Sequence, residues 1–211
     1  MSTTHRLRLP LSEQEVRSVA AGDTVYLDGE IVMAAGLPTH RRIIEYMDAG
    51  KPLPVDLTGG AMLHLAGYSR EVDGRCEVLY INPTTSTRFN EYMPKIITGL
   101  GLRLTGGKGG LGATSVEAMK EAGCAYLSFL GGGSTLLTKA IKEVISVNWT
   151  DLIFHYRLVK VRVEELGPAT VGIDSHGNSL YESLTREAEK RLPEILENLG
   201  PRRVVKADPS R

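Results

Sequence analysis

Apolar residues recur along the chain at two spacings, and the change between them predicts its organisation. Val25 and Leu27, then Ile31 and Met33, alternate with polar neighbours around Asp28-Gly29, which predicts a β-hairpin with a tight turn. Before it, Ser12 and Glu15 have the form of a capping box and predict a short helix over 13–19. After it, Pro38 in a first turn, Ile43, Ile44 and Met47 on one face, and Gly50 at the end predict a helix over 37–49. Lys51-Pro52-Leu53-Pro54 is a stiff connector too short to separate domains. Short apolar strands over 61–66 and 77–81 follow, with a polar loop expected over 67–75.

Beyond residue 84 the period switches repeatedly. Helices are expected over 87–98, 114–122, 136–147 and 184–199, and strands over 102–104, 125–129, 156–164 and 170–173. Alternation of this kind predicts parallel strands joined by helical crossovers. The fold class is therefore α/β, with a β-rich N-terminal half followed by alternating helices and strands. One domain is expected over 1–200, with a flexible basic tail over 201–211.

Composition narrows the function without choosing it. A chain of 211 residues can bury a substantial core. Lys plus Arg equals Asp plus Glu at 25 each, so no global field favours nucleic acid or an anionic membrane. No apolar run approaches the roughly 18 to 20 residues that span a bilayer, and the polar first ten residues lack a signal core. A soluble cytoplasmic protein is expected. Cys76 and Cys124 lie far apart without a Cys-x-x-Cys or Cys/His cluster, so any metal cluster serving this protein must sit on another chain.

The candidate chemistry lies in two stretches, Asn82-Pro83-Thr84-Thr85-Ser86-Thr87-Arg88 and Thr105-Gly106-Gly107-Lys108-Gly109-Gly110. Hydroxyls at an expected helix start, a guanidinium with a planar fork and a lysine among glycines together suit a small anion. Lys108 to Thr114 also has the outline of a nucleotide-binding P-loop. However, Ala113 stands where the phosphate-contacting lysine is required, and no magnesium-binding aspartate follows on a strand.

These stretches resemble the β subunit, or C-terminal domain, of class I iron-sulfur fumarases and L-tartrate dehydratases. Leu9-Pro10-Leu11-Ser12, Ala21 to Val25 and Leu27 to Ile31 resemble the family's opening. Asn82 to Arg88 resembles its Gly-Pro-Thr-Thr-Ser-Gly-Arg motif, and Gly107-Lys108-Gly109 its Gly-Lys-Gly. Ala125-Tyr126-Leu127, Gly131 to Gly133 and Ile173 to Gly177 continue the match in order, over roughly residues 8 to 182. The resemblance implies a swivelling β/β/α domain and reversible hydration of a dicarboxylate. It implies a hetero-oligomer such as α2β2, with a 4Fe-4S cluster held by the α partner. Position by position, it gives Thr84 as catalytic base and Lys108 as the lysine that charges the site. It gives Arg88 as the substrate-binding arginine and aligns His40 with the family's histidine; with Lys108, and Thr85 from the hydroxyl run, these are the expected substrate-binding groups, with no metal ligand in this chain.

One edge of the pattern departs. Where the family carries Arg and Asp ahead of the histidine, this chain has Gly36 and Leu37 before His40. A lost guanidinium removes about 1.5 to 3 kcal/mol of charge-assisted bonding, and Arg41, Arg42 and Arg70 are the candidates to replace it. His64, His155 and His176 have weaker claims. A non-catalytic anion-binding or assembly module on the same fold is the alternative function, and a nucleotide-binding protein the third.

Overall fold

In a computed structural model, which describes residues 2–199 apart from Gly74 and Gly133, the alternating positions at 25–33 build one continuous strand, β2 (Thr24–Met33), instead of a hairpin. β1 (Thr4–Arg8) runs parallel beside its first half and β3 (Ala61–Leu63) beside its second. Asp28-Gly29 is a bulge within the strand. Gly29 has φ +109°, and a Cβ on it would lie 2.9 Å from the Leu9 carbonyl oxygen, so glycine is required by both backbone and neighbour. β1 itself was not expected, because only Leu7 of its residues is buried. The capping box stands: α1 (Glu13–Arg17) starts with Ser12 Oγ accepting from the Glu15 amide and the Glu15 carboxylate accepting from the Ser12 amide. α2 (Leu37–Asp48) also forms as expected.

Four further expectations change. The loop expected over 67–75 is an antiparallel ribbon of β4 (Leu65–Val72) and β5 (Arg75–Pro83). Its polar residues are the solvent face of paired strands. The helix expected over 87–98 splits into a 3-10 turn at Ser86–Phe89 and α3 (Met93–Gly99). Pro94, in the first turn of α3, is suited to start a helix there. β6 (Leu104–Gly107), α4 (Ala113–Ala122) and β7 (Ala125–Phe129) follow. The helix expected over 136–147 is a short α5 (Ser134–Lys139) and then strand β8 (Ile141–Asn148). Ile141, Val144, Ile145 and Val147 are β-branched and find a partner strand there. The strands expected over 156–164 and 170–173 are one, β9 (Leu158–Ile173). α6 (Leu180–Leu199) closes the described chain with no buried residue, and the tail expected over 201–211 lies outside the described residues.

β1, β2, β3, β6 and β7 pair in parallel, whereas β9 runs antiparallel to β2, β7 and β8. Because β9 pairs back onto β2, the strands β2, β3, β6, β7 and β9 close into a barrel. The two-residue period then sorts side chains between two cores. Val25, Leu27, Ile31, Leu63, Leu127, Val161 and Val171 fill one with their neighbours. Val32, Met62, Tyr126, Leu158 and Ile173 point the other way, toward Ile43, Met93, Ile96 and Met119 of α2, α3 and α4. Burial of each large aliphatic chain contributes about 1.5 to 3 kcal/mol.

Buried carboxylates pin the loops. Asp174 accepts from the amides of His176 and Asn178 at 3.0 Å through Oδ1, and from Ala21 N at 3.1 Å and Asn178 Nδ2 at 2.9 Å through Oδ2. Burial raises its carboxyl, but the bonds from Asn178, Ala21 and His176 outweigh that and hold it below the usual carboxylate range. Asp23 is also lowered, foremost by the Thr3 amide. His40 and His64 are fully buried. Burial pushes His40 down to about 4, against its bond to Gly36, and holds His64 well below its ordinary value, with His40 contributing.

Two outcomes follow for stability. An unfolded histidine takes up its proton below about pH 6.5, whereas folded His40 does so only near 4. The folded chain binds fewer protons in that window, so stability falls as pH drops through it. The contributions of Asp23 and Asp174 are present above the unfolded carboxylate value of about 3.9 and are lost only below it. Urea midpoints are expected to be level above about pH 6.5 and to decline from there toward pH 4; a level midpoint through that range contradicts the buried neutral histidines. Asp174→Ala strands several buried donors and is expected to cost about 2 to 4 kcal/mol in the same measurement.

Candidate active site

The ends of β3, β5 and β6 come together at one end of the barrel, and their backbone bonds bring the two sequence stretches into contact. The His64 amide donates to Gly106 O at 2.6 Å and the Thr84 amide to His64 O at 2.7 Å. The Lys108 amide donates to Thr84 O at 3.0 Å, and the Ser86 amide to Lys108 O at 2.8 Å. Gly107 makes this approach possible. A Cβ there would run into Ser86 Oγ and lie 2.8 Å from Thr84 O and 3.0 Å from His64 Cβ.

The side chains divide by depth. Ser86 is buried, its Oγ 2.8 Å from His64 Nδ1 and 2.9 Å from the Tyr126 hydroxyl. Tyr126 accepts from the Gly110 amide at 3.3 Å. Burial, against the Ser86 bond, raises its phenol well above the ordinary value, so it stays protonated. Thr84 and Thr85 are half-buried, and Arg88 and Lys108 are exposed. Among the described residues no hydrogen bond or ion pair engages the Thr84 or Thr85 hydroxyl, the Arg88 guanidinium or the Lys108 ammonium. Lys108 passes over Gly131, where an added Cβ would be 4.0 Å from its Nζ. Uncommitted donors and positive charge at one end of a barrel are equipped to grip a carboxylate and stabilise negative charge that develops beside it.

Several expectations are corrected. The hydroxyls do not begin an α-helix: Thr85 caps a 3-10 turn without a side-chain cap bond, so anion binding falls to the side chains and not to a helix terminus. Three amides of the glycine loop, those of Lys108, Gly110 and Gly112, already donate to Thr84 O, Tyr126 Oη and Asn90 Oδ1 and are not available to a phosphate. That, with Ala113 in place of the phosphate-contacting lysine, counts against the P-loop reading. His40 does not face the site. It stacks on Phe89 with ring centroids 4.0 Å apart and donates from Nδ1 to Gly36 O at 2.8 Å, beneath the turn that carries Arg88.

The departing edge is filled. A side chain on Gly36 would run into the Tyr156 ring, whose Cγ is 2.8 Å from an added Cβ, while Leu37 is exposed. Arg42 is bound bidentately by Asp151 at 2.8 and 2.7 Å, and Arg70 pairs with Glu77 at 2.8 Å. Of the three candidate replacements, exposed Arg41 alone has no ion pair among the described residues. His155 and His176 are exposed, and His176 bonds Arg17 O at 3.0 Å. His64, which had only a weaker claim, and Tyr126, which stood in a motif match without a role, are the members that sequence reasoning undervalued. Each sits among apolar strand residues, and no spacing marks it.

Among the described residues no group of His, Cys, Asp and Glu could hold a metal ion. Burial pushes the Cys124 thiol up to about 12. No helix among the described residues is long and apolar enough to cross a membrane.

Comparison with known proteins gives one consistent result. The model of the "Fumarase C-terminus" family matches residues 2–184. The chain is 33% identical over 192 residues to the L(+)-tartrate dehydratase subunit beta of Escherichia coli (strain K12), covering 90% of this chain and 94% of that one. It is 31% identical over 187 residues to a putative L(+)-tartrate dehydratase subunit beta of Methanocaldococcus jannaschii, covering 88% and 95%. A putative fumarate hydratase class I of Geobacillus stearothermophilus is 31% identical over 192 residues, which is 90% of this chain and 36% of that longer protein. An α/β barrel whose Thr84–Arg88 turn lies against Lys108, and a family match along most of its length, place this chain in the fumarase C-terminus family.

Proposed function

We propose that this chain is the β subunit of an iron-sulfur-dependent hydro-lyase that adds water to, or removes it from, a dicarboxylate such as malate, fumarate or tartrate. The observation that carries the reading is the backbone pairing of the Thr84–Arg88 turn with Lys108, which presents two cations and two hydroxyls without side-chain partners among the described residues. Printed names of the relatives, tartrate dehydratase subunit beta and fumarate hydratase class I, support the reaction class.

Arg88 takes one substrate carboxylate through its planar fork, with Thr85 donating beside it. Lys108 supplies positive charge where negative charge develops on the carboxylate next to the reacting carbon. Thr84 Oγ is the group of this chain placed to move the proton at that carbon. A threonine hydroxyl is a weak base near neutrality, so this role requires an activating carboxylate to accept its proton. His40, being buried, supports the turn and touches no substrate.

This chain does not fit a 4Fe-4S cluster: Cys124 is buried with a raised thiol pKa, and Cys76 lies on β5 with no ligand set around it among the described residues. The cluster belongs to the α partner, in a cytoplasmic hetero-oligomer such as α2β2. When bound there, it supplies a Lewis acid for the departing hydroxyl. The Tyr156 ring over Gly36 favours a second reading, an anion-binding or assembly module without turnover.

The chain alone is expected to show no dehydratase activity. Co-expressed with an α partner and reconstituted anaerobically, it is expected to turn over at least one of fumarate, malate, tartrate and mesaconate. No turnover by an intact, cluster-loaded complex overturns the enzyme reading. In an active complex, Arg88→Ala is expected to raise KM about tenfold to a hundredfold, and Thr84→Val to lower kcat about a hundredfold or more. Carboxylate binding unchanged by Arg88→Ala supports the assembly module instead.

A further inference from the structure

Beneath the reactive surface runs a chain of buried polar groups, from Gly110 through Tyr126, Ser86 and His64 toward His40. Its hydrogen-bond directions follow from the chemistry at its two ends. The Gly110 amide only donates, so Tyr126 Oη accepts from it at 3.3 Å. The Gly36 carbonyl only accepts, so His40 carries its proton on Nδ1, 2.8 Å away, and neutral His40 has a lone pair at Nε2. The His40 and His64 rings are 5.2 Å apart, and neither Nε2 has a hydrogen-bond partner among the described residues.

Two polarities fit the Tyr126, Ser86 and His64 contacts. In one, His64 donates from Nδ1 to Ser86, Ser86 donates to Tyr126, and the Tyr126 proton turns toward Tyr181, whose ring meets it edge-on at 6.0 Å. That leaves lone pairs on both buried Nε2 atoms, two acceptors that the pair itself cannot satisfy and that only a third group giving two protons could. In the other, Tyr126 donates to Ser86 and Ser86 donates to His64 Nδ1. His64 then carries its proton on Nε2 and His40 does not, so one is a donor and the other an acceptor. The two rings are then complementary in themselves and require no double donor.

We propose that His64 is a positioning residue. As the Nε2–H tautomer it accepts from Ser86 and holds the Thr84–Arg88 turn against the Lys108 loop, with His40 as its oppositely protonated neighbour. Three anchors converge on this one residue: its amide bonds β6 at Gly106, its carbonyl takes the Thr84 amide, and its ring takes Ser86. What is positioned rests on the hydro-lyase reading; the tautomers do not.

Long-range proton–nitrogen correlation spectra of the ¹⁵N-histidine-labelled chain at neutral pH test the polarity. The expected result is Nε2–H for His64 and Nδ1–H for His40, with Ser86→Ala changing the His64 nitrogen signature. The same tautomer at both, or a His64 signature untouched by Ser86→Ala, overturns the proposal. In the reconstituted complex, His64→Leu is expected to lower kcat about tenfold to a hundredfold through misplacement of Thr84. His64→Asn, whose side-chain oxygen can still accept from Ser86, is expected to recover most of that loss. Equal loss in both variants, at equal thermal midpoints, also overturns it. A cluster-loaded wild-type complex that turns over nothing overturns the hydro-lyase reading, while the spectra still decide the chain.

Discussion

The site depends on one close backbone approach, that of the Thr84–Arg88 turn to the end of β6. Gly107 permits it by having no side chain where Ser86 Oγ and Thr84 O lie, and the bonds between Thr84, Ser86 and Lys108 hold it. Everything chemically useful then follows from which groups the approach consumes. The Lys108, Gly110 and Gly112 amides are used internally, which leaves fewer of the loop's donors for a phosphate. The Arg88 and Lys108 side chains have no partner among the described residues, so positive charge remains available at the surface. Two exposed cations with no counter-ion among the described residues suit a site completed by an anionic ligand.

The barrel supplies the rigidity behind that arrangement. β9 pairs with β2, β7 and β8 over its length, and the resulting closure places the ends of β3 and β6 side by side. The helical layer packs on the outer face, and there Phe89, from the turn that carries Arg88, is stacked with His40 of α2. The turn is thus gripped from two sides. Sheet backbone holds its start, and a buried ring holds its end.

The edge at Gly36 shows how local replacement changes a site without changing the fold. Tyr156 occupies the space above Gly36, and Thr39 Oγ1 donates to the Tyr156 carbonyl. A phenol ring and exposed Leu37 therefore stand where the family resemblance leads one to expect a guanidinium and a carboxylate. The centre of the site keeps its cations, and the edge is less charged. Arg42 and Arg70 do not restore the charge, because each is paired with a carboxylate.

Local chemistry was legible in the residues themselves. The capping box at Ser12 and Glu15, helix α2 behind Pro38, the α/β class and the two anion-binding stretches all rest on interactions within a few positions of each other. The Asp28-Gly29 pair was legible as a place where glycine is required, but not as a bulge instead of a turn, because β1 and β9 decide the partners of β2. Residues 141–148 carry helical and strand signals alike, and the free edge of β9 resolved them. His40 looked like a ligand by its position and became a buried support. His64 and Tyr126 carried no pattern, because their roles arise from contacts between strands remote in sequence. Sequence alone settled which residues could bind an anion, since that is a property of side-chain chemistry. Tertiary structure alone decided which of them reach one, since burial and backbone pairing determine which donors are already spent.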